Sequence, residues 1–130
     1  MRTTQRKGDI AKAQAVATFT RLGFDVSMLL TESAAYDLIV DDGDNLWRVQ
    51  VKFIGGSYVD LRRIHSNSQG YVVKKTVAKS YDWLYVLKAD GSEYVIKRCL
   101  TGSAYTPRET DKITESWPNG KAPALNPGEA

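Results

Sequence analysis

Apolar residues first recur at helical spacing along this chain, and two-residue alternation takes over after that. The stretch GDIAKAQAVATFTRLG, residues 8–23, predicts a helix with Ile10, Ala13, Val16, Ala17 and Phe19 as its apolar stripe. Asp9 stands as its N-cap and Gly23 where a terminating glycine belongs. FDVSMLL, residues 24–30, predicts a short strand with Phe24, Val26, Met28 and Leu30 on one side. YDLIVDDGDNLWRVQVKF, residues 36–53, predicts a hairpin around the turn cluster 42–45. SYVDLRRI, residues 57–64, alternates as another strand, and HSNSQG is loop by composition. YVVKKTVAKSY, residues 71–81, predicts an extended piece passing into helical turns. DWLYVLK and EYVIKRCL then form a second hairpin around ADGS. These elements make an α/β domain, a mixed, mainly antiparallel sheet flanked by helices, spanning residues 1–102. All 4 prolines lie in the remaining stretch 103–130, which reads as a tail docked through Trp117 and disordered at its end.

The first hairpin carries the candidate chemistry. Alternation sets Trp47, Val49, Val51 and Phe53 on a core face and Arg48, Gln50 and Lys52 on the other. A loop of 42–45, or a tight Gly43-Asp44 turn, places Asp37 opposite Gln50 with Lys52 one diagonal step away, at spacings of ~5 and ~7 Å. An Asp42-Gly43 turn would slip the register and set Asp37 opposite Arg48; the run Gly43, Asp44, Asn45 favours the first arrangement. Two readings remain open at this point. One is a surface cluster in which Asp37 pairs with Lys52 for ~0.5 kcal/mol. The other is a metal site, with carboxylate and carboxamide oxygens as hard ligands for Mg²⁺ and a lysine to orient water or neutralise phosphate charge.

Composition narrows the setting. The 130 residues are 42% hydrophobic and 25% charged, an ordinary globular balance for one domain. A net charge of +3 permits a nucleic-acid partner without requiring one. Cys99 is the only cysteine, so no intramolecular disulfide forms and a reducing, cytoplasmic setting is expected. Its alternating neighbours read it as a buried structural thiol. No run approaches the ~20 apolar residues of a membrane span, and the basic start leads into an alanine-rich helix rather than a signal-peptide core. His65 is the only histidine, a poor zinc candidate in a stretch read as exposed loop. No phosphate-binding loop, Ser-His-Asp set or CxxC is present. Arg62, Arg63, Lys74, Lys75 and Lys79 follow the hairpin, joined by Lys97 and Arg98 and interleaved with Tyr58, Tyr71 and Tyr81. Each alone reads as solvated surface; together they form a candidate phosphate-contact cluster.

Asp, a hairpin, then acid-X-Lys resembles the signature of the PD-(D/E)XK nucleases. YDLIV…RVQVK, with KGDIA opening the first helix and GFDVS after it, resembles their group I intron-associated branch, the homing endonucleases of cyanobacteria and phages. The resemblance covers roughly residues 5–100. It implies a restriction-endonuclease-like core and an endonuclease acting on double-stranded DNA in a bacterial or phage-infected cell. It also implies Mg²⁺, which Mn²⁺ can replace, and a homo-oligomer of two or more subunits, because one small subunit has one site. By the same resemblance Asp37 ligates the metal, Gln50 coordinates it with help from the Val51 carbonyl, and Lys52 is the catalytic lysine. The branch carries a glutamate on the first helix, as in KGDIAE, where this chain has Lys12. Asp9 lies one turn earlier on the same side. An ammonium facing Asp37 would pair with it and weaken cleavage. The alternatives are a catalytically silent DNA-binding protein on the same fold, a junction-resolving nuclease, and a globular domain with no nucleic-acid role.

Overall fold

A computed structural model describes residues 3–67, 70–75 and 80–113. One long helix, α1 (Thr3–Arg21), precedes a five-stranded sheet built from β1 (Asp25–Met28), β2 (Leu38–Asp41), β3 (Leu46–Ile54), β7 (Trp83–Lys88) and β8 (Glu93–Ile96), in the order β1-β2-β3-β7-β8. Every pairing is antiparallel except the central β3–β7 pair, which is parallel. Among the described residues there are also two short two-stranded sheets. β4 (Val59–Asp60) pairs with β9 (Ala104–Tyr105), and β5 (Arg62–Asn67) pairs with β6 (Gly70–Lys75). A single 3-10 turn, Glu109–Asp111, follows. This is the mixed, mainly antiparallel α/β architecture expected from the sequence.

α1 ends as the glycine signal requires. Gly23 adopts φ 96°, and Phe24 N–H bonds the Phe19 carbonyl at 3.0 Å while Gly23 N–H bonds that of Thr20 at 3.0 Å. That is a Schellman cap, with Phe19 and Phe24 in edge contact at 5.5 Å as its hydrophobic partner pair. The helix start differs from expectation. It begins at Thr3, so Asp9 is no N-cap but an exposed interior residue that accepts a hydrogen bond from Gln5 Nε2 at 3.2 Å. The polar run before Gly8 contains ordinary helix formers, and Lys7 lies over the Phe53 ring at 5.7 Å. The buried face is also rotated from the expected stripe. Ala11, Ala15, Thr18 and Phe19 are buried, whereas Ile10 is 48% exposed. The two alanines are small enough to let the helix lie close on the sheet.

Both sheet faces are covered. The α1 face gathers Phe19, Leu38, Val40, Val49, Val51 and Tyr85; the opposite face gathers Val59, Leu61, Tyr81, Leu84, Val86 and Ile96. β7 is therefore buried on both sides from Trp83 to Leu87, which explains its unbroken apolar run. β1 is an edge strand, so Met28 and Leu30, placed on one side with Phe24, are 56% and 102% exposed. Of the HSNSQG stretch read as loop, His65, Ser66 and Asn67 continue β5 and Gly70 opens β6, strand character that their polar composition hid, while residues 68–69 lie outside the described residues. The helical turns expected within 71–81 fall on 76–79, outside the described residues. β8 stops at Ile96, leaving Cys99 half-buried beyond the strand, 3.7 Å from Ser80 Oγ. Ile113 packs against the α1-side core, and Lys112 bridges Tyr94; Trp117 lies outside the described residues.

Candidate active site

Turn chemistry sets the register of the hairpin. Asp42 Oδ1 accepts the N–H groups of Asp44 at 2.8 Å and Asn45 at 2.7 Å, while its Oδ2 accepts Trp47 Nε1 at 2.9 Å. Asp42 is held below the ordinary carboxylate range, first by the Trp47 bond and then by these backbone bonds. Gly43 takes φ 99° at the tip. Leu38 consequently faces Val49, and Val40 faces Trp47, which is the register expected for a 42–45 loop. Arg48 is committed elsewhere: its N–H, Nε and Nη2 all bond the Asp82 carboxylate, at 2.8, 3.2 and 3.2 Å.

At Asp37 the ladder ends and the side chain takes over. Its N–H bonds the Val49 carbonyl at 2.8 Å, and its Oδ2 accepts the Val51 N–H at 2.8 Å. The carboxylate thus replaces the strand partner that β2 no longer supplies. Backbone alternation puts the Val51 carbonyl on the same edge as its N–H. Asp37 Oδ1 points the other way, toward α1, where Lys12 Nζ lies 3.6 Å away. Both side chains of this pair are partly open, 36% for Lys12 and 22% for Asp37.

Asp37, Gln50 and Lys52 line one cleft of about 230 Å³, together with Glu32, Ala34, Leu61 and Tyr81. Across the parallel pair Gln50 stands beside Leu84 and Lys52 beside Val86. These positions sit at the margin of the second core cluster rather than on a wet face. Neither Gln50 nor Lys52 makes a side-chain hydrogen bond or ion pair among the described residues, so their polar atoms are available to the cleft. The Lys52 charge does reach Asp60, whose pKa falls to about 2, mainly through hydrogen bonds from Arg62. Tyr81, on the cleft wall, is pushed up to about 12 by burial, and its oxygen accepts the Leu100 N–H at 3.2 Å.

Sequence reasoning missed Glu32. It lies on the irregular loop between β1 and β2, where no periodicity marks a position, and it lines both the main cleft and an adjoining cavity of about 140 Å³. Asp9 lines neither. Of the expected cations, Arg62 is paired to Asp60 at 3.0 Å, and Lys79 lies outside the described residues. The backbone register sets Arg62 opposite Lys75 and Arg63 opposite Lys74.

No group of three or more His, Cys, Asp or Glu able to hold a metal is present among the described residues. The oxygens that could hold a cation here are few: those of Asp37 and the Gln50 carboxamide on the cleft, with the Val51 carbonyl on the neighbouring strand edge. That chemistry fits a hard divalent cation which keeps most of its waters and takes few protein ligands.

The chain resembles known proteins along most of its length. A family model described as PD-(D/E)XK endonuclease matches residues 2–112. No curated protein sequence matches the chain. Among solved structures, it is similar to a bacterial homing endonuclease, I-Ssp6803I, with 26% identity and a TM-score of 0.70 over 87% of this chain and 83% of that one. Nucleases of this family act on DNA and generally use divalent metal ions. No helix among the described residues is long and apolar enough to cross a membrane. The match over most of the chain decides the identity: the protein belongs to the PD-(D/E)XK endonuclease family.

Proposed function

We propose that the protein is a Mg²⁺-dependent endonuclease of homing or mobile-element type, hydrolysing phosphodiester bonds in duplex DNA in the cytoplasm. The observation that carries this reading is the convergence of Asp37, Gln50 and Lys52 on one cleft. Asp37 Oδ1, the Gln50 carboxamide oxygen and the Val51 carbonyl would hold the cation. When bound, it supplies Lewis-acid stabilisation of the charge that develops on the scissile phosphate. The Lys52 ammonium, which lines the cleft and makes no hydrogen bond or ion pair among the described residues, neutralises the same charge and orients the attacking water. The β5–β6 ribbon supports a DNA contact, because its register sets Arg62 opposite Lys75 and Arg63 opposite Lys74, one cationic pair at each of two consecutive positions. Arg62 already has Asp60 as its anion, whereas like charges directly opposite, as at Arg63 and Lys74, destabilise a ribbon until an anion such as a phosphate lies between them. Cutting two strands with one site per chain calls for a homo-oligomer.

A second reading, a catalytically silent DNA-binding protein, is favoured by one observation. Lys12 Nζ stands 3.6 Å from Asp37 Oδ1, the oxygen a cation would use. Plasmid nicking in Mg²⁺ separates the two. The chain as it stands is expected to nick feebly, Lys12→Glu to nick strongly, and Lys12→Glu with Lys52→Ala to be inactive. DNA binding by all three with no cleavage by any would make the silent reading correct.

A further inference from the structure

We propose that Glu32 is a positioning residue that receives the Lys12 ammonium when Asp37 takes up a cation, so that Lys12 acts as a movable gate on the site. This rests on the endonuclease reading above. Asp37 is fully engaged in the resting arrangement, with Oδ2 on the Val51 N–H at 2.8 Å and Oδ1 3.6 Å from Lys12 Nζ. The Val51 bond is part of the strand edge and has no reason to break. A cation therefore gains Asp37 only by releasing Oδ1 from Lys12.

The released ammonium has one evident destination. Lys12, Glu32 and Asp37 line the same 140 Å³ cavity, and Glu32 also lines the main cleft. The Glu32 carboxylate makes no hydrogen bond or ion pair among the described residues, and its side chain is exposed and free to turn. Lys12 is itself 36% exposed on a long flexible stem, which lets its ammonium move within the cavity it shares with Glu32. Ala34, a small side chain, lines both cavities along with Glu32 and Asp37. The loop holding Glu32 is tied down at its far end by the Asp37–Val49 bond of 2.8 Å, which keeps the carboxylate within reach of the site. Charge favours the exchange. With Lys12 still on Asp37, an incoming divalent cation meets both Lys12 and Lys52; with Lys12 on Glu32, one of those charges is neutralised and set aside.

Isothermal titration of Mg²⁺ into the full chain, without DNA, tests this in four proteins: unaltered, Lys12→Met, Glu32→Gln and the double variant. Lys12→Met is expected to tighten Mg²⁺ binding about tenfold, and Glu32→Gln to weaken it about tenfold. In the Lys12→Met background Glu32→Gln should change little, because there is no ammonium left to receive. An equal loss in both backgrounds would show that Glu32 acts on the cation directly and would overturn the gate. No effect of Glu32→Gln in the unaltered background would overturn it as well. Asp37→Asn run alongside separates the two levels of inference: if it leaves Mg²⁺ binding intact, the metal-site reading itself fails. Circular-dichroism melts of each variant confirm that the fold is retained.

Discussion

Asp37 does two jobs with its two oxygens, and they are separable by substitution. Oδ2 accepts the Val51 N–H at 2.8 Å, at a residue only 8% exposed, while Oδ1 pairs with Lys12 at 3.6 Å and is the oxygen proposed to take a cation. Asp37→Leu leaves that N–H without an acceptor and is expected to cost ~1–3 kcal/mol in urea unfolding. Asp37→Asn keeps an oxygen for the N–H and loses only a partly exposed pairing with Lys12, so its cost should stay below ~1 kcal/mol, though activity is lost in both. Equal costs for the two would mean that water satisfies Val51. Asp37, Gln50 and Lys52 were legible in the sequence because strand alternation and turn residues fix which side chains meet. Lys12 was legible only through the KGDIA motif. Glu32 was not legible at all: in an irregular loop, sequence distance carries no information about spatial distance.

Elements locked by buried polar contacts were the hardest to read. Thr18 is fully buried; its hydroxyl donates to Glu93 Oε2 at 2.5 Å and accepts from Gln14 Nε2 at 3.1 Å. Tyr85 donates to the same Glu93 oxygen at 2.6 Å. Burial, and then the Glu93 hydrogen bond and charge, hold the Tyr85 hydroxyl well above its ordinary pKa, so it remains a donor. The network ties α1 to β7 and β8, and it explains the helix face that an apolar stripe could not indicate. A threonine looks like the wet side of a helix until its partner, far away in sequence, is known. Thr18→Val removes a donor from Glu93 and is expected to cost ~1–3 kcal/mol, measured as a lower urea midpoint with an unchanged slope. A neutral effect would mean that Glu93 finds solvent instead. The hairpin strands, by contrast, were readable because their signals are local: Asp42 caps a turn within a few residues of itself, and Ala89-Asp90-Gly91 does the same between β7 and β8.

For the molecule as a whole, acid stability follows from carboxylates committed to donors. Asp42 through Trp47, Asp82 through Arg48, Asp60 through Arg62 and Asp90 through the Ser92 backbone all have folded pKa values below the ordinary one. In the unfolded chain these groups titrate near ~3.9, so below that pH the unfolded state binds more protons. Stability is therefore expected to be fully present above about pH 4–5 and to fall as pH drops toward the Asp60 value of about 2. Thermal melts from pH 5 to 2 should show this fall, and Asp82→Asn should flatten it. A Tm that does not change over that range would remove these carboxylates from the account. The central parallel pair was the whole-molecule feature the sequence concealed. β3 and β7 are joined by a long excursion, and adjacency across such a span leaves no local mark.

If the β5–β6 ribbon makes the DNA contact proposed above, that excursion has a consequence for how such a nuclease changes its target. The β5–β6 ribbon leaves the body after Leu61 and returns at Tyr81, two residues buried at 3% exposure each in the same core cluster. Its two feet are thus clamped in that cluster. Doubling a flexible loop costs only ~0.6 kcal/mol, so the segment between the clamps can be lengthened, shortened or exchanged without rebuilding the strands that hold Asp37, Gln50 and Lys52. Retargeting by grafting then becomes a local edit. A chain with residues 63–79 replaced by a short Gly-Ser linker, keeping Leu61 and Tyr81, is expected to unfold cooperatively and bind Mg²⁺ as before, yet to lose its hold on duplex DNA. A ribbon taken from a relative and placed between the same clamps should bring that relative's site preference with it.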